Sequence, residues 1–211
     1  MQLIDELRAE HLLVDQVAGS LIRFAGFTRG GGTSMEDVAD FIRFLRVFVA
    51  GYHHQREEQT LFPVLVDRAE VPADRGPLPV IAAEHRVAAE LVDRLEGATD
   101  REKAAEVARR LAHHLWEHVD KENSVLLPES VDRLRRNGVT RLVGRVPTTA
   151  EEGARRIGEQ LIDRFPPLDD PEIVRGAGCI ACSAFGDICG GIETEWWNTW
   201  ERQHYRSLDE G

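Results

Sequence analysis

Apolar residues recur at three- and four-residue intervals over long stretches of the chain, and nowhere do apolar and polar residues alternate over a strand's length. The first periodic stretch runs from about Leu3 to Phe27, with Leu3, Leu7, His11, Val14, Ala18, Leu21 and Ile22 along one side. It stops at Arg29-Gly30-Gly31-Gly32, a run no helix keeps. The second begins near Ser34, a plausible N-cap with Asp37 three residues on, and carries Val38, Phe41, Ile42, Leu45, Phe48, Val49, Tyr52 and His53 towards Ala69. Pro72, Pro77 and Pro79 then interrupt the chain. A third stretch spans about Leu78 to Leu95 and stops at Gly97. A fourth, capped by Thr99 or Asp100, continues through Leu111, Leu115, His118 and Glu122 towards Arg136 and closes at Asn137-Gly138. Long helices with short connections predict an all-α fold, an up-down-up-down four-helix bundle.

The remainder has a different texture. Ala150 to Phe165 predicts a short helix. Pro166-Pro167 and Pro171 follow, then the Gly/Cys-rich loop GAGCIACSAFGDICGG and a last helix through Glu193, Trp196, Trp197, Trp200 and His204. Trp196 and Trp200 share a helical face and can bury together. The expected organisation is therefore a bundle over 1–144 and, over 145–211, an extension with a Cys loop and a Trp-rich helix, folded back onto the bundle.

The second and fourth helices contain the same phrase. His53, Glu57, Leu61, Pro63 and Val66-Asp67-Arg68 match His118, Glu122, Leu126, Pro128 and Val131-Asp132-Arg133 at one fixed offset. Each phrase follows a helix carrying one Glu-His pair, Glu10-His11 and Glu84-His85. The bundle thus reads as two hairpins, each supplying a His and then His-x-x-x-Glu. Residues four apart stack on one helical face, so His53 projects with Glu57 and His118 with Glu122, among apolar residues such as Leu45, Val49 and Leu61. An ionised carboxylate on a core-facing stripe is costly unless something pairs with it, and a bound cation removes that cost. Two carboxylates and four imidazoles inside a bundle can hold two metal ions, each glutamate bridging both. A single His-x-x-x-Glu pair is ordinarily a surface pair. Two in matched context, each with a proline at the same distance, resist that reading.

The motifs HxxxEExxLFP (His53 to Pro63) and HxxxExxxLLP (His118 to Pro128) resemble the hemerythrin-like family of the HHE cation-binding type, over roughly residues 3 to 136. The resemblance implies a non-haem di-iron centre held by His11, His53, Glu57, His85, His118 and Glu122, bridged by the glutamates and an oxo or hydroxo group. It also implies chemistry with dioxygen, nitric oxide or peroxide. The oxygen-carrying hemerythrins have a second histidine one turn along the third helix, where this chain has Ala89, and His-x-x-x-x-Asp on the last helix, where this chain has His-x-x-x-Glu. The six-ligand pattern is closer to the iron-centre-repair proteins and to many bacterial single-domain relatives. Of about twelve coordination positions on two octahedral ions, about two stay open with these ligands. Open positions suit a peroxide- or nitric-oxide-consuming activity, a reversible carrier or sensor, or iron donation to damaged iron–sulfur centres. His54, His113 and His114 are candidates for a further ligand or for neighbours of the ligands. Tyr52 could hydrogen-bond a bound oxygen species or simply pack in the core, and Glu58 faces about 100° away from Glu57 and is not expected to be a ligand.

Charge narrows the partners. The chain carries a net charge of −11, which argues against nucleic acid and anionic membranes, and no apolar run approaches the ~20 residues of a membrane span. All three cysteines lie between Cys179 and Cys189, and the start MQLIDELRAE does not read as a signal peptide. Together these predict reduced thiols in the cytoplasm. Cys179-x-x-Cys182 with Cys189, and His204 as a fourth donor, could hold zinc or iron or act as a redox switch. The alternative is three cysteines packed as small hydrophobes. The sequence sets no oligomeric state.

Overall fold

The computed structural model describes residues 1–27, 35–170, 173 and 175, and all regular elements among them are helical. Helix α1 is Gln2–Phe27. Helix α2 is continuous over 35–69 and has four parts: Met35–Arg43, a π-helical stretch Phe44–His54, a second π-helical turn Glu57–Leu61, and Phe62–Ala69. Helix α3 is Pro77–Glu96. Helix α4 covers 101–136, with a π-helical turn Glu122–Leu126 between Arg101–Lys121 and Leu127–Arg136. Helix α5 is Thr149–Arg164. The first four form the up-down-up-down bundle. None of the described helices is long and apolar enough to cross a membrane.

Local chemistry sets the ends. Glu70 turns left-handed at φ 54° and its N–H reaches the Leu65 carbonyl, closing α2. Gly76, at φ 74°, feeds Pro77 into the first turn of α3, where proline's missing N–H costs nothing. The Asp100 side chain accepts the Lys103 N–H at 2.9 Å and caps α4. Gly138, at φ 75°, ends α4 as the Val139 N–H returns to the Leu134 carbonyl at 2.8 Å. Thr148 and Glu151 form a reciprocal capping box that starts α5. The expected cap Ser34 lies outside the described residues.

The core divides into two apolar layers. One holds Val14, Leu21, Phe41, Phe48, Leu91, Leu111 and Leu115; the other holds Leu3, Leu7, Leu61, Leu65, Ile81 and Leu126. Along each bundle helix, the residue between the layers is a histidine or a glutamate. On α1 the order is Leu7, His11, Val14; on α4 it is Val119, Glu122, Leu126.

Helix α5 shares the first layer. Ala154, Leu161 and Phe165 are buried there, and Phe165 meets Phe24 edge-on at 5.8 Å. The chain then crosses α1 at Gly19. The Leu168 N–H bonds to the Gly19 carbonyl at 3.1 Å, and a Cβ on Gly19 would lie 2.8 Å from Pro167. Further on, Asp170 contacts His113 at 3.0 Å, and Arg175 contacts Asp15 at 2.5 Å and Asp120 at 2.8 Å. This crossing explains why the second half of α1 is buried on more than its predicted stripe, including Gly19, Ser20 and Phe24.

Candidate metal centre

Six side chains from four helices meet in the layer between the two apolar regions. His11 comes from α1, His53 and Glu57 from α2, His85 from α3, and His118 and Glu122 from α4. None is more than 6% exposed, and His11, Glu57 and Glu122 are fully buried. Glu57 Oε1 stands 3.9 Å from His11 Nε2 and 3.6 Å from His53 Nε2, while its Oε2 stands 3.3 Å from His85 Nε2. Glu122 Oε2 stands 3.0 Å from His11 Nε2 and 3.3 Å from His118 Nε2. Two overlapping sets result, His11, His53, Glu57 and Glu122, and Glu57, His85, His118 and Glu122, each with donor atoms within 4.8 Å of one another. Both glutamates belong to both sets.

Each imidazole presents Nε2 to the centre because Nδ1 is engaged elsewhere. His53 Nδ1 donates to Glu10 at 2.8 Å and His118 Nδ1 to Glu84 at 3.1 Å. Glu10 and Glu84 are the residues just before His11 and His85, so each hairpin's first helix orients the histidine of its second. His85 Nδ1 donates to Glu58 at 2.6 Å and His11 Nδ1 to Asn123 at 2.8 Å. Glu58 and Asn123 are the residues just after Glu57 and Glu122, so each hairpin also orients the other's first histidine. A third tier repeats the pattern: Arg56 donates to Glu10 and to Glu6, and Lys121 donates to Glu84. Fixing Nδ1 in this way leaves the Nε2 lone pair free for a cation.

The matched prolines act on this layer through the backbone. Proline has no N–H, and its ring crowds the carbonyl four residues back. Before Pro63 and before Pro128 the turn widens to an i→i−5 bond, with Phe62 N–H bonding to the Glu57 carbonyl and Leu127 N–H to the Glu122 carbonyl. Both wide turns begin on a centre-facing glutamate, a placement in keeping with the frequency of π-turns at functional sites. The longer π-helical stretch that carries His53 has outside support too, since Arg145 donates to the Gly51 carbonyl at 2.8 Å.

The centre has polar atoms with no partner. Nε2 of His11, His85 and His118, and all four oxygens of Glu57 and Glu122, are buried without a hydrogen bond. Their mutual contacts are close but lack hydrogen-bond alignment. Donors on an octahedral ion stand roughly 3 Å apart at metal–ligand distances near 2.1 Å, and the observed 3.0–3.9 Å spacings approach that. Imidazole and bridging carboxylate are the donor set expected of paired divalent or trivalent ions. The residues present therefore fit a pair of cations.

Electrostatics agree. Burial alone would lower the affinity of His11 for a proton, but the Glu122 carboxylate, with Glu57 and Asn123, raises its pKa to about 9. Burial also opposes protonation of His85, and Glu57 and Glu58 outweigh it, raising that pKa to about 10. Burial pushes Glu57 up, and His53, His85 and His11 hold it well below the usual carboxylate range. For Glu84 burial is overcome by His118 and Lys121, which bring it to about 2. Without cations the layer draws in protons to balance its carboxylates, so cation binding must release them.

The other candidates occupy distinct places. Tyr52 is buried, with the guanidiniums of Arg56 at 4.2 Å and Arg145 at 4.9 Å from its ring centroid. His54 stacks on His85 with ring centroids 3.8 Å apart and planes 10° apart. Burial, then the neighbouring imidazoles, holds its pKa well below the usual value. Imidazoles on one ion radiate from it, and planes that both contain the ion cannot stack in parallel. This pose makes His54 a packing neighbour of His85, although its nitrogen also falls within 4.8 Å of those of His85 and His118. His114 donates to the Glu84 carbonyl at 2.8 Å, and His113 contacts Asp170. Cys179, Cys182, Cys189, His204 and the three C-terminal tryptophans lie outside the described residues. Sequence reasoning passed over Glu10, Glu58, Glu84, Asn123, Arg56 and Lys121 as functional residues. The signal available was their equal offset from the paired histidines and glutamates.

Comparison with curated proteins and with solved structures finds no match. The family model for the hemerythrin HHE cation-binding domain matches residues 2–130, a span that contains all six residues of the centre, α1 to α3 and α4 as far as residue 130. The chain belongs to the hemerythrin HHE cation-binding family.

Proposed function

We propose that this protein holds two iron ions in the layer between its apolar regions. His11 and His53 serve one ion, His85 and His118 the other, and Glu57 and Glu122 span the pair. The observation that carries this reading is the set of buried, unpartnered Nε2 and carboxylate oxygen atoms shared between two overlapping donor sets. Leaving such groups buried and unpaired costs several kcal/mol each in principle. Iron is favoured over zinc because structural zinc prefers closed, thiolate-rich tetrahedra, whereas bridging carboxylates with imidazoles suit iron and manganese. When bound, the pair supplies redox chemistry and open coordination positions for dioxygen, nitric oxide or peroxide. The chain's own part is to hold both carboxylates ionised, to aim four Nε2 lone pairs inward through their Nδ1 partners, and to keep bulk water out with the two apolar layers. We place the protein in the cytoplasm, where its three cysteines would stay reduced, acting on a small ligand.

The test begins with metal content. Protein made in iron-replete medium is expected to carry two irons per chain with near-ultraviolet charge-transfer absorption, and the double variant His53→Ala, His118→Ala is expected to lose them. Retention of both irons by that variant would refute the assignment. The diferrous protein mixed anaerobically with dioxygen, nitric oxide and peroxide in turn then separates the activities. A reversible spectral change with dioxygen marks carriage, turnover of peroxide or nitric oxide marks an enzyme, and an inert protein removes both.

A further inference from the structure

The two halves of the centre differ in what reaches them from outside. A cavity of about 220 Å³ opens between α2, α3 and α4 and ends on His85 and His54. Its walls are apolar, with Leu45, Val49, Ala88, Val92, Leu111 and Leu115. Across its mouth Arg46 pairs with Asp93 at 2.8 Å. Ala89, also on the lining, sits four residues after His85 and so on the same helical face one turn along. On the other side, the cavity of about 490 Å³ beside α1 and α5 is lined by charges, among them Glu6, Glu10, Glu151 and Arg155. It ends on Glu10 and Tyr52, the groups behind His53, and not on an imidazole.

We propose that the apolar cavity is the entry route for the small ligand, and that it delivers a neutral diatomic to the ion held by His85 and His118. This rests on the di-iron reading and deepens it by naming the ion and the ligand class. Ala89, one turn beyond His85 on the cavity lining, has no donor atom, so the next turn of α3 would supply no further ligand to that ion. The apolar walls of this cavity favour small apolar molecules, while an anion moving past Arg46 and Asp93 to its inner end would lose hydration against aliphatic side chains. His54, stacked on His85 at the inner end, fixes the ring that borders the cavity and narrows the last step. The charged cavity behind His53 offers no imidazole to a ligand that enters it, since Glu10 and Tyr52 stand between it and the centre.

Three measurements decide it. Crystals of the wild-type protein under xenon pressure are expected to show xenon among Leu45, Val49, Leu111 and Leu115. Xenon binding does not depend on the metal. Stopped-flow mixing of the diferrous protein with nitric oxide is expected to be at least tenfold slower for Ala50→Leu, which fills the wall, with iron content and helical circular dichroism unchanged. Ala89→His, at the half-open mouth where folding is not at stake, is expected to keep two irons while losing the nitric oxide electron paramagnetic resonance signal of the wild type. An empty cavity under xenon overturns the proposal. So does a nitric oxide rate and signal unchanged in both variants at full iron content. A wild type with fewer than two irons fails the di-iron reading itself, and xenon occupancy then decides the cavity alone.

Discussion

Helix α5 lies beyond the matched family span, yet one glycine in it makes a sharp test of how it is held. A Cβ on Gly158 would lie 2.5 Å from Cε2 and 2.6 Å from Cδ2 of Phe44, whereas a Cβ on Gly153 of the same helix would meet nothing within 4 Å. Phe44 is fully buried and stacked on Phe48 at 5.4 Å, so its ring has nowhere to retreat. Replacing glycine by alanine inside a helix gains about 1 kcal/mol from propensity. At position 153 nothing opposes that gain. At position 158 overpacking costs about 1–3 kcal/mol, so the net change runs from near zero to about 2 kcal/mol destabilising, and contacts this short favour the upper end. Subtracting the two variants cancels propensity and leaves the packing cost, about 1–3 kcal/mol. For a chain of this length that separates the thermal midpoints by roughly 2–12 °C. Thermal and urea unfolding at fixed metal content measure the difference. If Gly158→Ala stabilises as much as Gly153→Ala, α5 is not seated on Phe44 and its place in the core is wrong.

Other predictions follow from the tiers around the centre. Glu84→Gln, which weakens the hold on His118 Nδ1 and on Lys121, should lower affinity for one of the two irons by about 10–100-fold in competition with a chelator; unchanged affinity for both would count against the orienting role. Asn123→Asp should act in the opposite direction through His11, tightening iron retention, and a weaker hold would contradict it. Arg56 is buried against Glu10 and Glu6. Arg56→Ala should cost about 2–4 kcal/mol of folding stability in urea titrations, below the full penalty for a broken buried pair because Glu6 is 38% exposed. Glu151 is held down to about 2 from 4.5, chiefly by Arg145, against an opposing effect of burial. A depressed folded pKa means that its stabilisation is complete above pH 4.5 and fades as pH falls towards 2. The midpoint gap between wild type and Glu151→Gln should therefore be present at pH 7 and shrink over that window; a gap constant with pH would refute it.

What the sequence made legible depended on distance along the chain. The helices were readable because each buries a stripe, and the stripe on α1 from Leu3 through His11 to Ile22 is buried as periodicity predicts. The pairs His53 with Glu57 and His118 with Glu122 were readable because i and i+4 share a face, a purely local rule. Where α5 seats is set by contacts far apart in sequence, and glycines under a close neighbour, at 144 before it, 158 within it and 19 where the chain leaves it, mark it. The orienting contacts are also long-range. Glu58 reaches His85 and Asn123 reaches His11 across hairpins, so no periodicity within one helix encodes them. Glu58, turned away from the centre by rotation along α2, is turned by that same rotation towards α3.

The repeat nevertheless constrained those contacts more than its local form suggested. If two hairpins carry the same phrase and meet at one layer, a residue that contacts the partner hairpin in one copy has an equivalent that contacts it in the other. Glu10 with His53 then implies Glu84 with His118, and Glu58 with His85 implies Asn123 with His11, as found. The departures from equivalence carry the functional asymmetry. His85 and His118 both donate to carboxylates, whereas His11 donates to a neutral amide. A carboxylate partner makes an imidazole the stronger donor, so the His85 and His118 side is richer in electron density, and the same side borders the apolar cavity. Two ions held as proposed would therefore be inequivalent through their surroundings although their direct ligands match. Mössbauer spectra of the diferrous protein should show two distinct quadrupole doublets, and Asn123→Asp should draw them together. A single doublet in the wild type would mean that the outer contacts do not reach the metal electronically, and the asymmetry would then rest on the cavity alone.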